Sequence, residues 1–241
     1  MKRILAITVL LALLPTHFLC AEQAVNSAYQ VFTITSLKQG LYGGTVAFSE
    51  VKKFGDFGLG TLEGLDGEMV ALNGLFFQVK TDGKPYEISD TAKTPFALVT
   101  FFRPDKTVTL PGTRSLDDLQ QALDKILPSS NLPYAIRIRA KFHYMKARSV
   151  PAQKTPYPEL SVALKDQVIF EWHDLEGTLV GFRFPDYMDG VNVAGYHFHF
   201  LDADLKTGGH VLDCSTVSPE VESCTLGDFR IILPDNPAPQ R

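Results

Sequence analysis

Short apolar runs alternate with turn residues along most of the chain, which is the pattern of a β-rich protein. In the first half, turn dipeptides separate apolar segments such as EMVAL and LFFQV, a spacing typical of tight hairpins. TPFALVTFF (94–102) has the aromatic and β-branched content of a buried strand. A brief helix is predicted from Thr45 through Lys53. The turn dipeptides are Asp66-Gly67, Asn73-Gly74 and Asp82-Gly83.

The clearest predicted helix is SLDDLQQALDKILP (115–128). Ser115 is placed to cap it, Asp118 stands at the capping-box position, and Pro128 ends it. The following segment, YAIRIRAKFHYMKARSVP, alternates apolar and charged residues and predicts a half-buried strand. Its inward-facing positions are Ile136, Ile138, Ala140, Phe142 and Tyr144.

A proline-rich loop, PAQKTPYPEL, follows and is the predicted domain boundary. It divides the chain after the leader into an N-terminal domain (22–150) and a C-terminal domain (151–241). Beyond it we predict further short strands, so the pattern as a whole indicates a mostly β protein with two helices. These strands are Val168–Trp172, Thr178–Phe184, Gly195–Phe200, His210–Cys214 and Phe229–Leu233.

The first 21 residues predict a secretory signal peptide: two early cations, an apolar run from Ile4 to Leu14, and a small-residue exit ending at Ala21. The apolar run is too short to span a membrane. Cleavage after Ala21 is favoured over lipid modification of Cys20. The predicted location is therefore secreted or periplasmic.

The net charge and the cysteine content limit the classes of protein to which the chain can belong. The formal net charge is −4, and removing the leader with its two cations takes it to −6. A mildly acidic protein is a poor nucleic-acid binder, since that role needs basic surface. Cys214 and Cys224 remain after cleavage, and in an oxidising compartment they predict one disulfide; two free buried thiols are the alternative.

Three of the six histidines lie within HFHFLDADLKTGGH (197–210). In a strand, His197 and His199 project from the same face. The polar segment after them is typical of a hairpin loop, and a symmetric hairpin pairs His199 with His210, subject to a one-residue shift by a glycine bulge. Three imidazoles on one face predict a metal site with an open coordination position, with zinc as the default ion. An exposed histidine stripe and three separately bonded imidazoles are the alternatives.

Two charged residues have the parity of buried positions. Glu68 shares a face with the apolar residues of EMVAL and is expected to point inward, or else to fray into solvent at the strand end. Arg148 has the parity of Ile136 and Phe142, and an inward guanidinium would suit a carboxylate substrate. Taken alone, the pattern favours a break in the alternation near Met145, with Arg148 pointing outward.

Four segments, in this order and spacing, resemble the acetolactate decarboxylase family, and the likeness runs from about Tyr29 to about Leu233. The resemblance implies a zinc enzyme (Zn²⁺) that converts both enantiomers of 2-acetolactate to (R)-acetoin and carbon dioxide. It also implies an α/β (α+β, β-rich) fold of two domains that dimerises through the N-terminal sheet. The segments are FGDFGLGTLEGLDGEM (54–69), KTPFALVTFF (93–102), KARSVP (146–151) and GYHFHFLDADLKTGGHVLD (195–213).

The resemblance also assigns roles to single residues. Glu68 matches the family's glutamate beside the metal, Thr61 its nearby threonine, and Arg148 its active-site arginine. Loss of carbon dioxide from a β-keto acid needs an electron sink, which a Lewis-acidic metal supplies. Arg148 is expected to hold the substrate carboxylate and Glu68 to manage the proton that makes acetoin. The matching metal ligands are His197, His199 and His210.

The sequence departs from the family pattern at one point, which leaves alternatives for its activity open. Family members usually carry a second glutamate in an acidic segment after the strand matching FRIILP, whereas DNPAPQR follows here and no glutamate comes after Leu233. Either Glu68 acts alone, another group replaces the second glutamate, or activity is weakened. Two further hypotheses are a secreted zinc hydratase or hydrolase that has no need of Arg148, and a metal-binding relative without turnover.

Overall fold

The computed structural model describes residues 26–233, so the predicted signal peptide lies outside the described residues. Within that range no helix is long and apolar enough to cross a membrane. The α-helices are α1 (Ile34–Lys38), α2 (Phe48–Val51), α3 (Leu116–Ile126) and α4 (Leu160–Ala163). The strands are β1 (Ser27–Val31), β2 (Val46–Ala47), β3 (Phe57–Thr61), β4 (Glu68–Leu72), β5 (Leu75–Val79), β6 (Pro85–Glu87), β7 (Lys93–Thr94), β8 (Phe96–Thr100), β9 (Lys106–Thr109), β10 (Tyr134–Ser149), β11 (Val168–Phe184), β12 (Gly195–Asp202), β13 (Gly208–Thr216), β14 (Glu220–Thr225) and β15 (Asp228–Ile232).

Two large sheets organise the chain. The first sheet has the order β15-β1-β8-β3-β4-β5-β6, with β1 and β15 parallel and the other neighbours antiparallel. The second sheet has the order β11-β12-β13-β10-β14-β9, and β11 also pairs with β10, which closes four of its strands into a ring. Short strands β2 and β7 form a separate pair. The predicted β-rich α+β fold is confirmed.

Local sequence signals account for several of these elements. Asn73 and Gly74 both have positive φ (53° and 82°) and join β4 to β5 in the two-residue hairpin that the Asn-Gly pair predicts. The Ser115 Oγ accepts a hydrogen bond from the Asp118 backbone N–H (3.1 Å), so the predicted cap of α3 is confirmed. The helix predicted from Thr45 is shorter, because β2 pairs with β7 and α2 begins only afterwards.

The two sheets pack face to face, and the main core lies between them. The outer face of the first sheet is buried under α2, and the outer face of the second sheet is buried under α3. A sheet covered on both faces explains why β3 and β8 are buried throughout and mostly apolar. Residues of the intersheet core include Phe57, Leu59, Val70, Phe96, Leu98, Val180, Phe182 and Phe184.

The alternation of β10 breaks near its middle. Ile136, Ile138 and Phe142 are buried, as predicted, and pack toward α3, but the next residue on that side is Met145 and not Tyr144. The register with β13 shifts between Phe142 and Tyr144, which is the signature of a β-bulge. The predicted inward position of Tyr144 is therefore wrong. After the bulge, Arg148 lies on the face of β10 that contacts the first sheet.

The predicted disulfide is wrong, and both cysteines are free and buried. Cys214 on β13 pairs with Met145 on β10, whereas Cys224 on β14 pairs with Ala135 on the same strand. Ten residues of a strand span about 33 Å. A disulfide needs Cα atoms within about 7 Å, so the two thiols cannot meet.

Sheet membership does not change at residue 150. Strands β9 and β10 precede that position and belong to the second sheet, whereas β15 follows it and belongs to the first. The loop at 151–159 leads from β10 to α4 and then to β11, which belongs to the same second sheet, and the chain returns to the first sheet at β15. The division into two domains at 150 and 151 stays a prediction.

An ion cluster on β10 and β14 gives a test of this packing. Arg137 donates two hydrogen bonds to Glu222 (2.7 and 3.0 Å), and Arg139 lies 2.9 Å from the same carboxylate. These contacts, led by the Arg137 hydrogen bonds, lower the pKa of Glu222 below its ordinary 4.5. A carboxyl group whose pKa is lower in the folded state than in the unfolded state stabilises the fold fully at pH values above its unfolded-state pKa. This stabilisation is lost as the pH falls through the folded-state pKa.

We therefore expect Glu222→Gln to lower the free energy of unfolding at pH 7 by about 2 kcal/mol. The difference from the unmodified protein should shrink as the pH falls below 4.5, where the native carboxyl also becomes protonated. Urea unfolding at several pH values measures this, with Glu176→Gln on the exposed part of β11 as the control. A difference that does not change with pH would contradict the assignment.

Candidate metal centre and its cavity

The three histidines converge on one face of a hairpin, as the sequence predicts. Strands β12 and β13 pair with His199 directly opposite His210, in the unshifted register. His197 pairs with Phe182 and His199 with Val180, so both imidazoles share the face that packs against the first sheet. The structure therefore places the histidines between the two sheets.

The spacing of the ring nitrogens fits a metal ion. The His210 Nδ1 lies 3.1 Å from the His197 Nε2 and 3.3 Å from the His199 Nε2. A tetrahedral zinc site with Zn–N bonds near 2.05 Å separates its nitrogen ligands by about 3.3 Å. The possible ligand atoms of all three side chains lie within 4.8 Å of one another. This donor set therefore suits a tetrahedral ion with at least one position left for another ligand.

The environment keeps the three rings neutral, which metal binding requires. Burial, reinforced by Arg148, lowers the pKa of His197 to about 3. Burial also lowers the pKa of His199 and of His210 well below the ordinary value of 6.5. The His199 Nδ1–H donates to the Met69 carbonyl on β4 (2.8 Å), which leaves the Nε2 lone pair directed at the site.

Glu68 is buried beside the histidines, and its predicted inward orientation is confirmed. One carboxylate oxygen lies 3.5 Å from the His199 Nε2 and the other 3.6 Å from an Arg148 guanidinium nitrogen. Burial raises the pKa of Glu68 to about 7, and the charge of Arg148 opposes that rise. Glu68 is thus the carboxyl group placed to carry a proton next to the centre.

Arg148 reaches the site because of the bulge in β10. It pairs with His210 across the strands and lies mostly buried on the histidine face. The predicted break in the alternation is correct, but the predicted outward orientation is wrong: the side that faces away from α3 is covered by the first sheet. Arg148 and Glu68, which come from different sheets, form an ion pair across the site.

Thr61 lies at the end of β3, directly opposite Glu68 on β4. Its hydroxyl donates to the Gly67 carbonyl (2.7 Å), in the turn that leads into Glu68. Thr61 is buried and lines the same cavity as the histidines. Through this hydrogen bond it positions the strand end that carries the carboxylate.

The site opens into a cavity of about 140 Å³. The three histidines, Thr61, Glu68 and Arg148 give it a polar floor, and apolar side chains form most of the remaining wall. Among the described residues Glu68 is the one carboxylate that lines it, since Glu220 and Glu222 lie on β14 in ion pairs with Arg139 and Arg137. The apolar wall consists of Ile34, Leu37, Leu65, Phe96, Val150, Leu160 and Val193.

The sequence pattern does not predict two of the segments that contribute to this wall. Ile34 and Leu37 come from α1, and Val193 comes from the loop before β12. A buried amide pair joins these two segments: Asn192 donates to Gln30, which in turn donates to the Val191 carbonyl (2.7 Å). A strand glutamine and a loop asparagine carry no local signal for this contact, because they are 162 positions apart.

We expect Asn192→Ala to lower the free energy of unfolding by about 2–3 kcal/mol. The substitution removes the donor to the buried Gln30 side-chain oxygen and the acceptor of the Val193 backbone N–H, which in the native protein bonds to the Asn192 side-chain oxygen. Urea unfolding measures the change. Asn131→Ala, at an exposed position, is the control and should change stability by less than about 0.5 kcal/mol. Equal effects of the two substitutions would contradict the role of the amide pair.

Comparisons with known proteins identify the family and the fold. The sequence profile of the family described as alpha-acetolactate decarboxylase matches residues 28–239. A protein of that name from Methylococcus capsulatus is 50% identical over 210 residues, which are 87% of this chain and 81% of that protein. One from Methanosarcina mazei is 49% identical over 193 residues, 80% of this chain and 67% of that protein. The X-ray structure of alpha-acetolactate decarboxylase from Bacillus subtilis strain 168 superposes with a TM-score of 0.85 at 38% identity, over 89% of this chain and 91% of that one.

Proposed function

Since the chain belongs to the alpha-acetolactate decarboxylase family, a family of carboxy-lyases that decarboxylate acetolactate, we propose that it forms (R)-acetoin with the help of a zinc ion held by the three histidines. The observation that supports the proposal is that three kinds of functional group converge within one cavity. A neutral three-nitrogen donor set, a buried carboxyl group and a buried guanidinium meet there, although they come from three separate parts of the chain.

The substrate explains why these three kinds of group are needed. In 2-acetolactate, the bond to the carboxylate breaks and its electron pair moves toward the neighbouring ketone, giving an enediolate. A zinc ion bound by His197, His199 and His210 would supply Lewis-acid stabilisation of that negative charge, worth several kcal/mol. Each 1.36 kcal/mol corresponds to about a tenfold change in rate.

The protein's own side chains account for the other requirements. The planar guanidinium of Arg148 suits a carboxylate and can hold it above the floor of the cavity. Glu68 can deliver the proton that converts the enediolate to acetoin, because its carboxyl group is buried beside the same centre. If Glu68 delivers the proton to one face of the planar enediolate carbon, a single enantiomer of acetoin forms. The apolar wall limits access of water to the reacting carbon.

Acetolactate turnover by the zinc-loaded protein lacking residues 1–21 is the direct test, followed as carbon dioxide release and by chiral chromatography of acetoin. We expect turnover and an excess of the R enantiomer. Metal analysis of the same sample identifies the ion that purifies with the chain. Bound zinc without turnover would favour the metal-binding relative over the enzyme. Turnover with a racemic product would remove the assignment of Glu68 as the proton donor.

Two further properties stay proposals. We propose that residues 1–21 export the protein to a secreted or periplasmic location, because they have the pattern of a cleavable signal peptide. Mass spectrometry of the N-terminus after expression in the native host tests this and should find Glu22 first. We also propose a homodimer, which the family resemblance implies. Sedimentation equilibrium should give twice the mass of one mature chain.

A further inference from the structure

A lysine lies at the mouth of the cavity and takes no part in the chemistry proposed above. Lys38 is the last residue of α1, and it lines the same cavity as the histidines. Ile34, Leu37 and Lys38 are spaced i, i+3 and i+4, so they share one face of the helix. Ile34 and Leu37 are buried in the wall, whereas Lys38 is exposed. Lys38 therefore lies where the wall meets solvent.

The charges around the cavity favour a small anion. Besides the neutral histidines, the charged residues that line it are Lys38, Arg148 and Glu68. Arg148 forms an ion pair with Glu68, whereas Lys38 has no ion-pair partner between residues 26 and 233. The cavity thus carries an unpaired positive charge at its mouth, although the whole chain has a formal net charge of −4. A cleft of one sign in a protein of the other sign concentrates its counter-ion locally.

We propose that Lys38 is the capture residue for the substrate carboxylate, which it attracts at the mouth before Arg148 receives it at the floor. This inference rests on the proposed function only in taking the substrate to be a small hydroxy-keto monoanion. An ammonium on a flexible four-carbon stem suits this role, because it is a mobile and hydrated point charge. Lys38 is a binding residue for the approaching anion, and the bond-breaking step does not need it.

An effect of this kind has a distinctive dependence on salt. The Debye length falls from about 30 Å at 0.01 M ionic strength to about 3 Å at 1 M. Removing the charge of Lys38 should therefore weaken anion binding about threefold to tenfold at 0.01 M and hardly at all at 1 M. The kcat should stay the same at both ionic strengths, because the groups on the floor are unchanged.

The test compares Lys38→Met, Lys38→Arg and Lys125→Met with the unmodified protein. Lys125→Met is the matched control: it removes the same charge from α3, which packs against the opposite face of the second sheet. Two measurements are made at both ionic strengths. One is the Kd of 2-hydroxy-2-methylpropanoate, an inert hydroxy acid, for the zinc-loaded protein by calorimetry; the other is kcat and KM for 2-acetolactate.

We expect Lys38→Met to raise Kd and KM at 0.01 M only, and Lys38→Arg and Lys125→Met to leave them nearly unchanged. Equal effects of Lys38→Met and Lys125→Met would overturn the inference, since they would reflect net charge alone. A loss in kcat, or a loss in affinity that persists at 1 M, would also overturn it. Because calorimetry needs no turnover, a protein without decarboxylase activity but with the expected change in Kd would contradict the proposed function and support the role of Lys38.

Discussion

Replacing His199 with alanine is expected to abolish stoichiometric metal binding and to lower kcat at least a thousandfold. The Nε2 of His199 is one of the three nitrogens that converge within metal-bonding distance, and two imidazoles cannot complete the site. A thousandfold loss corresponds to about 4 kcal/mol of transition-state stabilisation, which is within the several kcal/mol that a Lewis-acidic metal supplies. Atomic emission of the dialysed protein and carbon dioxide release measure the two effects.

The matched control is His173→Ala, which removes an exposed histidine of β11 outside the cavity. It should retain full metal content and full activity. Because His199 is buried, thermal unfolding of the metal-free forms is measured as well, to show that the variant is folded. A folded His199→Ala protein that binds one zinc ion per chain, or that keeps its activity, would contradict the assignment of the ligands.

Substituting Glu68 with glutamine is expected to lower kcat by about a hundredfold to ten-thousandfold while leaving metal content unchanged. Glutamine keeps the size of the side chain but cannot donate a carboxylic proton. The three histidines are intact, so the metal should remain. If protonation then comes from water, the residual acetoin should also lose its excess of the R enantiomer. Carbon dioxide release, metal analysis and chiral chromatography on one preparation measure the three results.

Glu63→Gln is the control for this substitution, since Glu63 is exposed in the short turn between β3 and β4 and does not line the cavity. It should behave as the unmodified protein does. An unchanged kcat of Glu68→Gln, with an unchanged excess of (R)-acetoin, would show that another group delivers the proton. Loss of the metal in Glu68→Gln would instead make the carboxylate a ligand.

The hairpin shows what a sequence pattern can predict. Residue parity places His197 and His199 on one face, and the midpoint of the loop pairs His199 with His210; the structure confirms both. The inward orientation of Glu68 also follows from parity within a five-residue strand. These predictions succeed because they depend on the geometry of one strand or one hairpin.

Arg148 shows where the same reasoning fails. Parity counted along β10 places it on the α3 side, but the bulge between Phe142 and Tyr144 reverses the faces of the later residues. The bulge is defined by the pairing of β10 with β13, a strand more than sixty positions away in the sequence, so the pattern within β10 cannot predict it. The predicted disulfide between Cys214 and Cys224 is wrong for a related reason. Ten positions separate them in sequence, but each pairs with a different part of the long strand β10.

By itself, the sequence determined the β-rich character of the chain, its best helix, the three-histidine hairpin and, through four motifs, the family. Each of these depends on neighbouring residues or on a short ordered pattern. The tertiary structure alone decided which charged groups meet the metal centre, because Glu68 belongs to the first sheet and Arg148 to the second. It also decided that α1 and the loop before β12 contribute to the wall of the cavity. These contacts arise only when the two sheets pack, because they join residues that are tens to hundreds of positions apart.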